Sequence, residues 1–515
     1  MKGTLILLAA GIINRILGFV PRIALPRVIG AEGVGLYQMG YPFLIVILTL
    51  TTGGIPLAVA KLVAEAESEG KEARVRHVLM MSLALTSGLS LLFTAFCLAA
   101  APWMTSVLFT DKRVYWTFLC MSPIIPIVGV SSVFRGYFQG RQNMIPTAVS
   151  QVTETLIRIV AMLGLSLLLM PYGLEYAAAG AMLGVLIGEI GGMLVLLLEH
   201  ARTRKAYKLF KRATIGSGSS FGGRKDALRR LIRLSVPVTA SRLVGSASYF
   251  LESILIVQSL AIAGVATVAA TVQYGALQGM IIPILLLPSA LTFSLSTSLV
   301  PSLSEAAARK DMRTIHSRLH QSLRLALVTG APFAVFMYVL AEPICYYLYK
   351  NGEIGVMLKM MAPAALFIYF QAPLQAALQA LNRPGAALVN TLIGSVVKLA
   401  LIALLATKPQ FGILGAVMAI IVNIMLVTLL HWNSVARLLK FRMQVSDFLK
   451  VGSAMGITAV CCWFIGFAGT TETSFSRLIL SLSTGLLVYL GAILGFKLIE
   501  PGDFKRLTLL FHKKR

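Results

Sequence analysis

Eight charged side chains fall inside stretches otherwise apolar enough to cross a bilayer: Arg15, Arg22, Arg158, Arg242 and Lys398, with Glu154, Glu189 and Glu252. A charge at membrane depth costs about 2.5–3.5 kcal/mol on insertion scales, so each of these must face a cavity or a partner. Cations outnumber anions in this set. A cation-rich, wet cavity suits an anionic ligand, above all a phosphate or diphosphate, which the planar guanidinium fork grips at two points. The carboxylates admit other roles, as ion-coupling groups or as structural partners. Glu154 and Arg158 are spaced to pair on one helix, and such a pair can simply lock a bundle. Lys398 has Gly394, not an acid, one helical turn earlier, which makes it the better candidate for an unpaired, ligand-facing cation. Arg15 and Arg22 are two turns apart on one face. Arg22 follows Pro21, which predicts a bent or broken helix, and its side chain could instead snorkel to the surface. Glu252 either pairs with Arg242 or forms a proton or cation site; the spacing does not separate the two.

The elements that position these residues follow from composition. The chain has 515 residues, 57% hydrophobic and only 13% charged, with mean hydropathy +0.82. Soluble globular chains carry about a quarter charged residues. Apolar runs of about 20 residues, the length of a membrane-crossing helix, recur along the whole length. The alternating ten-residue segments of a membrane barrel are absent, and only helices or closed barrels satisfy the backbone in hydrocarbon. The fold class is therefore an all-α polytopic membrane protein of about fourteen spans, the first near 4–25 and the second near 36–60. An uncleaved first helix is expected, because the N-terminal apolar run continues into Arg15 and Pro21.

The net charge of +26 would suggest nucleic acid in a soluble protein. Here it reads as loop charge obeying the positive-inside rule, with no nucleic-acid partner. With the N-terminus in the cytoplasm, the basic segments 61–77, 135–146, 199–233, 301–322, 433–448 and the C-terminal tail all fall inside. Arg135 is counted among these loop charges. Both termini are then cytoplasmic in a multi-pass protein of the cell membrane. The stretch 216–223, GSGSSFGG, marks a flexible join between basic patches that could also bind anionic headgroups.

An internal repeat organises the rest. FQGRQNMIPTAVSQVTETLIRIV (138–160) returns in looser form as LQALNRPGAALVNTLIGSVVKLA (378–400). One constant interval separates Gln139 from Gln379, Arg158 from Lys398, Glu65 from Glu305 and Pro123 from Pro363. The domains expected are an N-lobe at 1–200, a basic cytoplasmic linker at 201–233, a C-lobe at 234–432, and a final helix pair with a basic tail at 433–515. About six spans per lobe, an even number, makes the two copies parallel repeats.

Several chemistries are excluded. No phosphate-binding G-x-x-x-x-G-K-[ST] loop, HExxH or nucleophile elbow is present, so the chain is not read as an enzyme and no cofactor is expected. Cys97, Cys120, Cys345, Cys461 and Cys462 sit in apolar runs without metal-ligand spacing and read as small packing residues. His316 and His320 are one turn apart, but with no acid or cysteine nearby they read as a solvated helix face, not a metal pair. Gly180, Gly184 and Gly188 read as a helix-packing stripe.

The segments NRILGFVPRIALPRVIGAEGVGLYQM, GIPLAVAKLVAEAESEG and FRGYFQGRQNMIPTAVSQVTETLIRI resemble the stage V sporulation protein B group of polysaccharide transporters. That group lies within the multidrug/oligosaccharidyl-lipid/polysaccharide exporter superfamily, which includes the lipid II flippases. The resemblance implies two pseudo-symmetric six-helix lobes around a cation-rich cavity, alternating access, and a lipid-linked oligosaccharide cargo such as a peptidoglycan precursor. It also implies importance for arginines of the first helix. Arg15 matches that motif position, while the next basic position falls at Pro21, with Arg22 just after it.

The function expected is a monomeric flippase for a lipid-linked saccharide diphosphate, driven by H+, Na+ or the membrane potential, for spore cortex or cell wall. Arg15, Arg22, Arg158, Arg242 and Lys398 would meet the diphosphate, and membrane lipids would accept the tail. A drug or cation antiporter of the same superfamily is the first rival; it would rely on Glu154, Glu189 and Glu252. A non-transporting membrane scaffold for cell-wall synthesis is the second.

Overall fold

The computed structural model describes residues 10, 11, 13–211, 224–441, 443–467 and 474–498, and every regular element among them is helical. The glycine-serine join at 216–223 and the basic C-terminal tail lie outside the described residues. The chain divides into two compact units, Met1–Met280 with Leu399–Ala416, and Ile281–Lys398 with Val417–Arg515. This division follows contact and is a different criterion from the sequence repeat.

The first unit begins with α1 (Phe19–Thr52), α2 (Ile55–Ser68), α3 (Glu72–Val107), α4 (Val114–Met121), α5 (Ile124–Gly140), α6 (Ile145–Leu169) and α7 (Leu174–Lys211). It continues with α8 (Arg224–Ile262) and α9 (Thr267–Gly275), and a π-helical turn follows at Ala276–Ile281. Among the described residues, thirteen stretches are long and apolar enough to span a membrane. The first, Ile13–Ser68, has 56 residues. Straight, it would run about 84 Å, against a hydrocarbon core of about 30 Å. It therefore supplies two of the expected spans, and the count agrees with about fourteen.

Where that stretch bends differs from expectation. Pro21 lies in the first turn of α1, where the missing N–H costs nothing. The kink is at Gly30, whose φ of +67° and ψ of 179° are a conformation essentially reserved for glycine. Beyond it, α1 and α9 meet backbone to backbone: a Cβ on Gly35 would collide with the Thr271 carbonyl, and one on Gly275 with the Ala31 carbonyl.

The core of the first unit gathers Val59, Leu62 and Val63 of α2, Val75 and Leu79 of α3, and Val133, Tyr137 and Phe138 of α5. Outward positions remain apolar, as Leu91, Leu92 and Phe96 on α3 show, because the solvent for that face is lipid. Helices α6 and α7 pack closely because of the expected stripe: a Cβ on Gly184 would strike the Met162 backbone. Ser150 Oγ donates to the Gly192 carbonyl across the same seam at 2.8 Å.

The second unit contains α10 (Ile282–Leu286), α11 (Ser289–Ala308), α12 (Met312–Val339), α13 (Ala341–Tyr349) and α14 (Gly355–Ala380). Then come α15 (Pro384–Leu405), α16 (Gly412–Leu439), α17 (Val445–Phe467) and α18 (Phe475–Gly495), the first two beginning or ending in the other unit. Its core joins Leu319 and Leu323 of α12, Leu374 of α14, Val435 of α16 and Tyr489 of α18. Tyr489 Oη donates to the Val328 carbonyl at 2.7 Å, satisfying the one polar atom it buries. All five cysteines are free, and Cys97, Cys345 and Cys462 are buried.

Candidate functional site

In the first unit the charged residues form one network. Arg135 on α5 donates through Nη2 to Glu154 Oε2 at 2.7 Å. Arg158, one turn beyond Glu154 on α6, lies 3.3 Å from Glu154 Oε1. Glu189 on α7 completes the group, its Oε2 3.8 Å from Arg135 Nη2. The pairing of Glu154 with Arg158 expected from sequence is present, but the shorter contact is to Arg135. Arg135 is thus not a loop charge: α5 runs on to Gly140, and the polar turn GRQN begins only after it. Two atoms in this group are buried without a hydrogen-bond partner, Arg135 Nε and Glu189 Oε2.

Arg158 keeps 28% of its side chain exposed and lies in the electrostatic reach of Tyr37 and Tyr41 on α1. Those two rings stack with centroids 5.8 Å apart. Tyr37 also lies in the field of Arg22, as does Tyr249 on α8. One turn of α8 later, buried Glu252 accepts from Gln278 Nε2 at 2.9 Å. Gln278 sits in the π-helical turn, and such turns re-aim side chains at functional sites. An Arg242–Glu252 pair is excluded by geometry, since ten residues of helix separate them by about 15 Å. Arg15, Arg22 and Arg242 are exposed, and among the described residues neither Arg22 nor Arg242 has an ion pair. Arg15 has contacts within the protein.

Lys398 on α15 is buried, 8% exposed, and is engaged by the protein around it. The reading of Lys398 as an unpaired cation does not hold. Gly394, one turn earlier, is where α16 approaches, since a Cβ there would strike the Val427 side chain.

A second cluster centres on Asp111 and Arg113, in the turn between two spans, and gave no motif. Arg113 clamps Asp111 through Nε at 3.0 Å and Nη2 at 2.8 Å, and reaches Glu32 through Nη1 at 2.7 Å. Thr271 Oγ1 donates to Asp111 Oδ2 at 3.0 Å, so one carboxylate ties α1, the α3–α4 turn and α9 together. Burial pushes the Asp111 carboxyl upward, but hydrogen bonds from Arg113 and Thr271 outweigh it and hold the group below its usual value. Sequence gave no signal, because Glu32 and Thr271 are distant in the chain from Asp111 and Arg113.

The histidines also differ from expectation. His316 Nε2 is 2.8 Å from the Leu439 carbonyl, and His320 Nε2 is 3.0 Å from Asp447 Oδ2. They brace a helix junction and are not a solvated face. Among the described residues no group of three or more His, Cys, Asp or Glu could hold a metal.

The sequence matches the family described as polysaccharide biosynthesis protein over residues 1–307, and MatE over residues 243–404. Stage V sporulation protein B of Bacillus subtilis (strain 168) is 43% identical over 517 residues, covering 99% of this chain and 98% of that protein. The lipid II flippase MurJ of the same organism is 26% identical, covering 78% of this chain and 76% of that one. A solved structure of the lipid II flippase MurJ in an inward closed conformation has a TM-score of 0.70, covering 96% of this chain and 99% of that chain. Its 17% identity makes that likeness one of fold alone. By the family match and the near full-length identity, this chain belongs to the polysaccharide biosynthesis protein family, as a stage V sporulation protein B-like membrane transporter of the multidrug/oligosaccharidyl-lipid/polysaccharide exporter superfamily.

Proposed function

We propose that the chain is a flippase that moves a lipid-linked oligosaccharide diphosphate across the cytoplasmic membrane by alternating access. A peptidoglycan precursor such as lipid II, for spore cortex or cell wall, is the cargo that fits best. The observation that carries this reading is the set of arginines on spanning segments of the first unit: Arg15, Arg22 and Arg242 exposed, and Arg158 partly exposed beside two tyrosines. Guanidinium groups at membrane depth are retained at a cost of kilocalories each, and a diphosphate repays that cost by charge-assisted bonds. Lys398 would add a cation from the second unit. The name of the 26%-identical relative supports the same cargo class.

The carboxylates supply the coupling. Glu154 and Glu189 share Arg135, and Glu189 presents a buried oxygen without a hydrogen-bond partner. Such an oxygen is a place for a proton or Na+ to bind as the transporter cycles. The protein acts as a monomer with both termini in the cytoplasm, an orientation that labelling of a cysteine introduced at each terminus tests directly in intact cells.

Reconstitution in liposomes with fluorescent lipid II and with other lipid-linked sugars is the deciding experiment. Transport of lipid-linked diphosphates that is lost in Arg15→Ala is the expected result. Export of organic cations with no movement of any lipid-linked sugar would make the antiporter reading correct. No transport of either class would leave the scaffold reading.

A further inference from the structure

A groove opens in the second unit where α16 ends and α17 begins. It has a volume of about 630 Å³ and is lined by Trp432, Arg437, Lys440, Phe441, Met443 and Phe448. That size falls within the about 300–1,000 Å³ of small-ligand sites. None of these residues belongs to the cation network of the first unit.

The walls are aromatic. Trp432 packs against Phe441 and Phe448, with ring centroids 6.4 Å and 6.5 Å away, and Phe370 backs it at 5.9 Å. The rim is positive. Arg437 and Lys440, three residues apart at the end of α16, are both exposed. Among the described residues neither has a carboxylate within 4.0 Å. Asp447, which follows on α17, is buried, 5% exposed, with Oδ2 3.0 Å from His320 Nε2. Lys440 is kept in the left-handed region, φ +51°, a conformation that glycine normally fills after a helix. His316 fixes the same corner by its contact with the Leu439 carbonyl. On the same two helices Leu438, Val445 and Leu449 are exposed. Since α16 and α17 are both spanning helices, their junction lies at the boundary of hydrocarbon and water.

We propose that this groove binds the headgroup and proximal chain of an anionic phospholipid of the bilayer, such as phosphatidylglycerol, as a bound lipid and not as cargo. Arg437 and Lys440 take the phosphate, which carries the single charge of phosphatidylglycerol. Trp432, Phe441 and Phe448 take the glycerol backbone and the first methylenes of the chain, the usual role of aromatic belts at an interface. A zwitterionic lipid brings its own cation beside the phosphate, where Arg437 and Lys440 repel it, so the site selects for net negative charge.

The test uses the purified full chain in detergent with short-chain lipids, read by native mass spectrometry and by fluorescence quenching that Trp432→Phe removes. Short-chain phosphatidylglycerol is expected to bind at least tenfold more tightly than phosphatidylcholine of the same chain length. Arg437→Ala with Lys440→Ala should abolish that preference, while the exchanges Arg437→Lys and Lys440→Arg keep it. If the double variant does not fold, Arg437→Gln and Lys440→Gln taken singly should each reduce the preference. Equal affinity for the two lipids overturns the proposal. So does equal affinity for inorganic phosphate or glycerol phosphate, which would mean that no chain is recognised. Preferential binding of a polyprenyl diphosphate at this groove also overturns it, and would assign the groove to the cargo. Arg15→Ala should retain phosphatidylglycerol binding, which separates this result from any failure of the transport reading.

Discussion

The first and second copies of the repeat solve helix packing in the same way and charge in opposite ways. The interval that carries Arg158 to Lys398 also carries Arg135 to Gln375, Glu154 to Gly394 and Glu189 to Leu429. In the first copy two cations and two carboxylates compensate one another across α5, α6 and α7. In the second, one cation is left of the four. The close helix approach survives the change, with the glycine on the other partner. On α7, a Cβ at Gly188 would lie 2.6 Å from Arg158 Cβ, and one at Gly192 would lie 3.0 Å from Glu154 Cβ. On α15 the glycine occupies the carboxylate's own position, and its Cβ would meet Asn423 Oδ1 at 2.7 Å. Packing is the property both copies keep. Charge is the property by which they have diverged.

The largest effect is expected from Glu154→Ala. It strands Arg135 and Arg158 in a buried setting, and breaking such a pair by removing one partner costs about 3–5 kcal/mol. Thermal unfolding in detergent measures it; a midpoint unchanged from the parent would mean that water, not Glu154, compensates the two arginines.

Transport comes next. Arg15→Ala and Lys398→Ala are expected to lower flipping of a lipid-linked diphosphate tenfold or more while the protein stays folded, since one charge-assisted contact is worth about 1.5–3 kcal/mol. Arg158→Ala should lower both flipping and stability, because Arg158 serves Glu154 as well. Wild-type flipping in Arg15→Ala and Lys398→Ala would end the diphosphate reading.

Glycine substitutions sharpen the contrast at smaller scale. Gly184→Ala drives a methyl into the Met162 backbone and should cost toward the upper end of about 1–3 kcal/mol. Gly394→Ala meets only side chains, which can shift, and should fall at the lower end. The reverse order, by unfolding midpoint, would show that the seam of the second copy is the tighter one.

The smallest effect concerns pH and the Asp111 cluster. Its folded-state pKa lies below the usual value, 3.8. Its contribution to stability is therefore complete above that value and is lost as pH falls through the lower, folded one. Asp111→Asn should lower stability at pH 7 and flatten the dependence below pH 4. An acid limb of the same steepness in parent and variant would assign the acid sensitivity elsewhere.

Much of this was legible in the chain itself, for identifiable reasons. A span announces itself because lipid tolerates few charges over about 20 residues, and the kinked first stretch differs from expectation only in bending at Gly30 instead of Pro21. Arg158 was visible as a charge one turn from an acid. Arg135 was missed because it stands at the end of an apolar run beside a polar turn, where a helix and a loop read alike. The tyrosines Tyr37, Tyr41 and Tyr249 were missed because aromatic residues are common in spans and carry no spacing signature.

Composition and periodicity by themselves determined that this chain crosses the membrane about fourteen times as helix, that it duplicates a unit, and that it keeps cations where lipid penalises them. These are properties of local sequence, since hydrocarbon tests each segment of about 20 residues on its own. Which charges meet was decided by tertiary structure alone. Arg135 reaches Glu154 across two helices, and Thr271 reaches Asp111 across 160 residues. The physical reason is that a hydrogen bond is satisfied within about 3 Å, and no one-dimensional spacing encodes which helix faces will come that close.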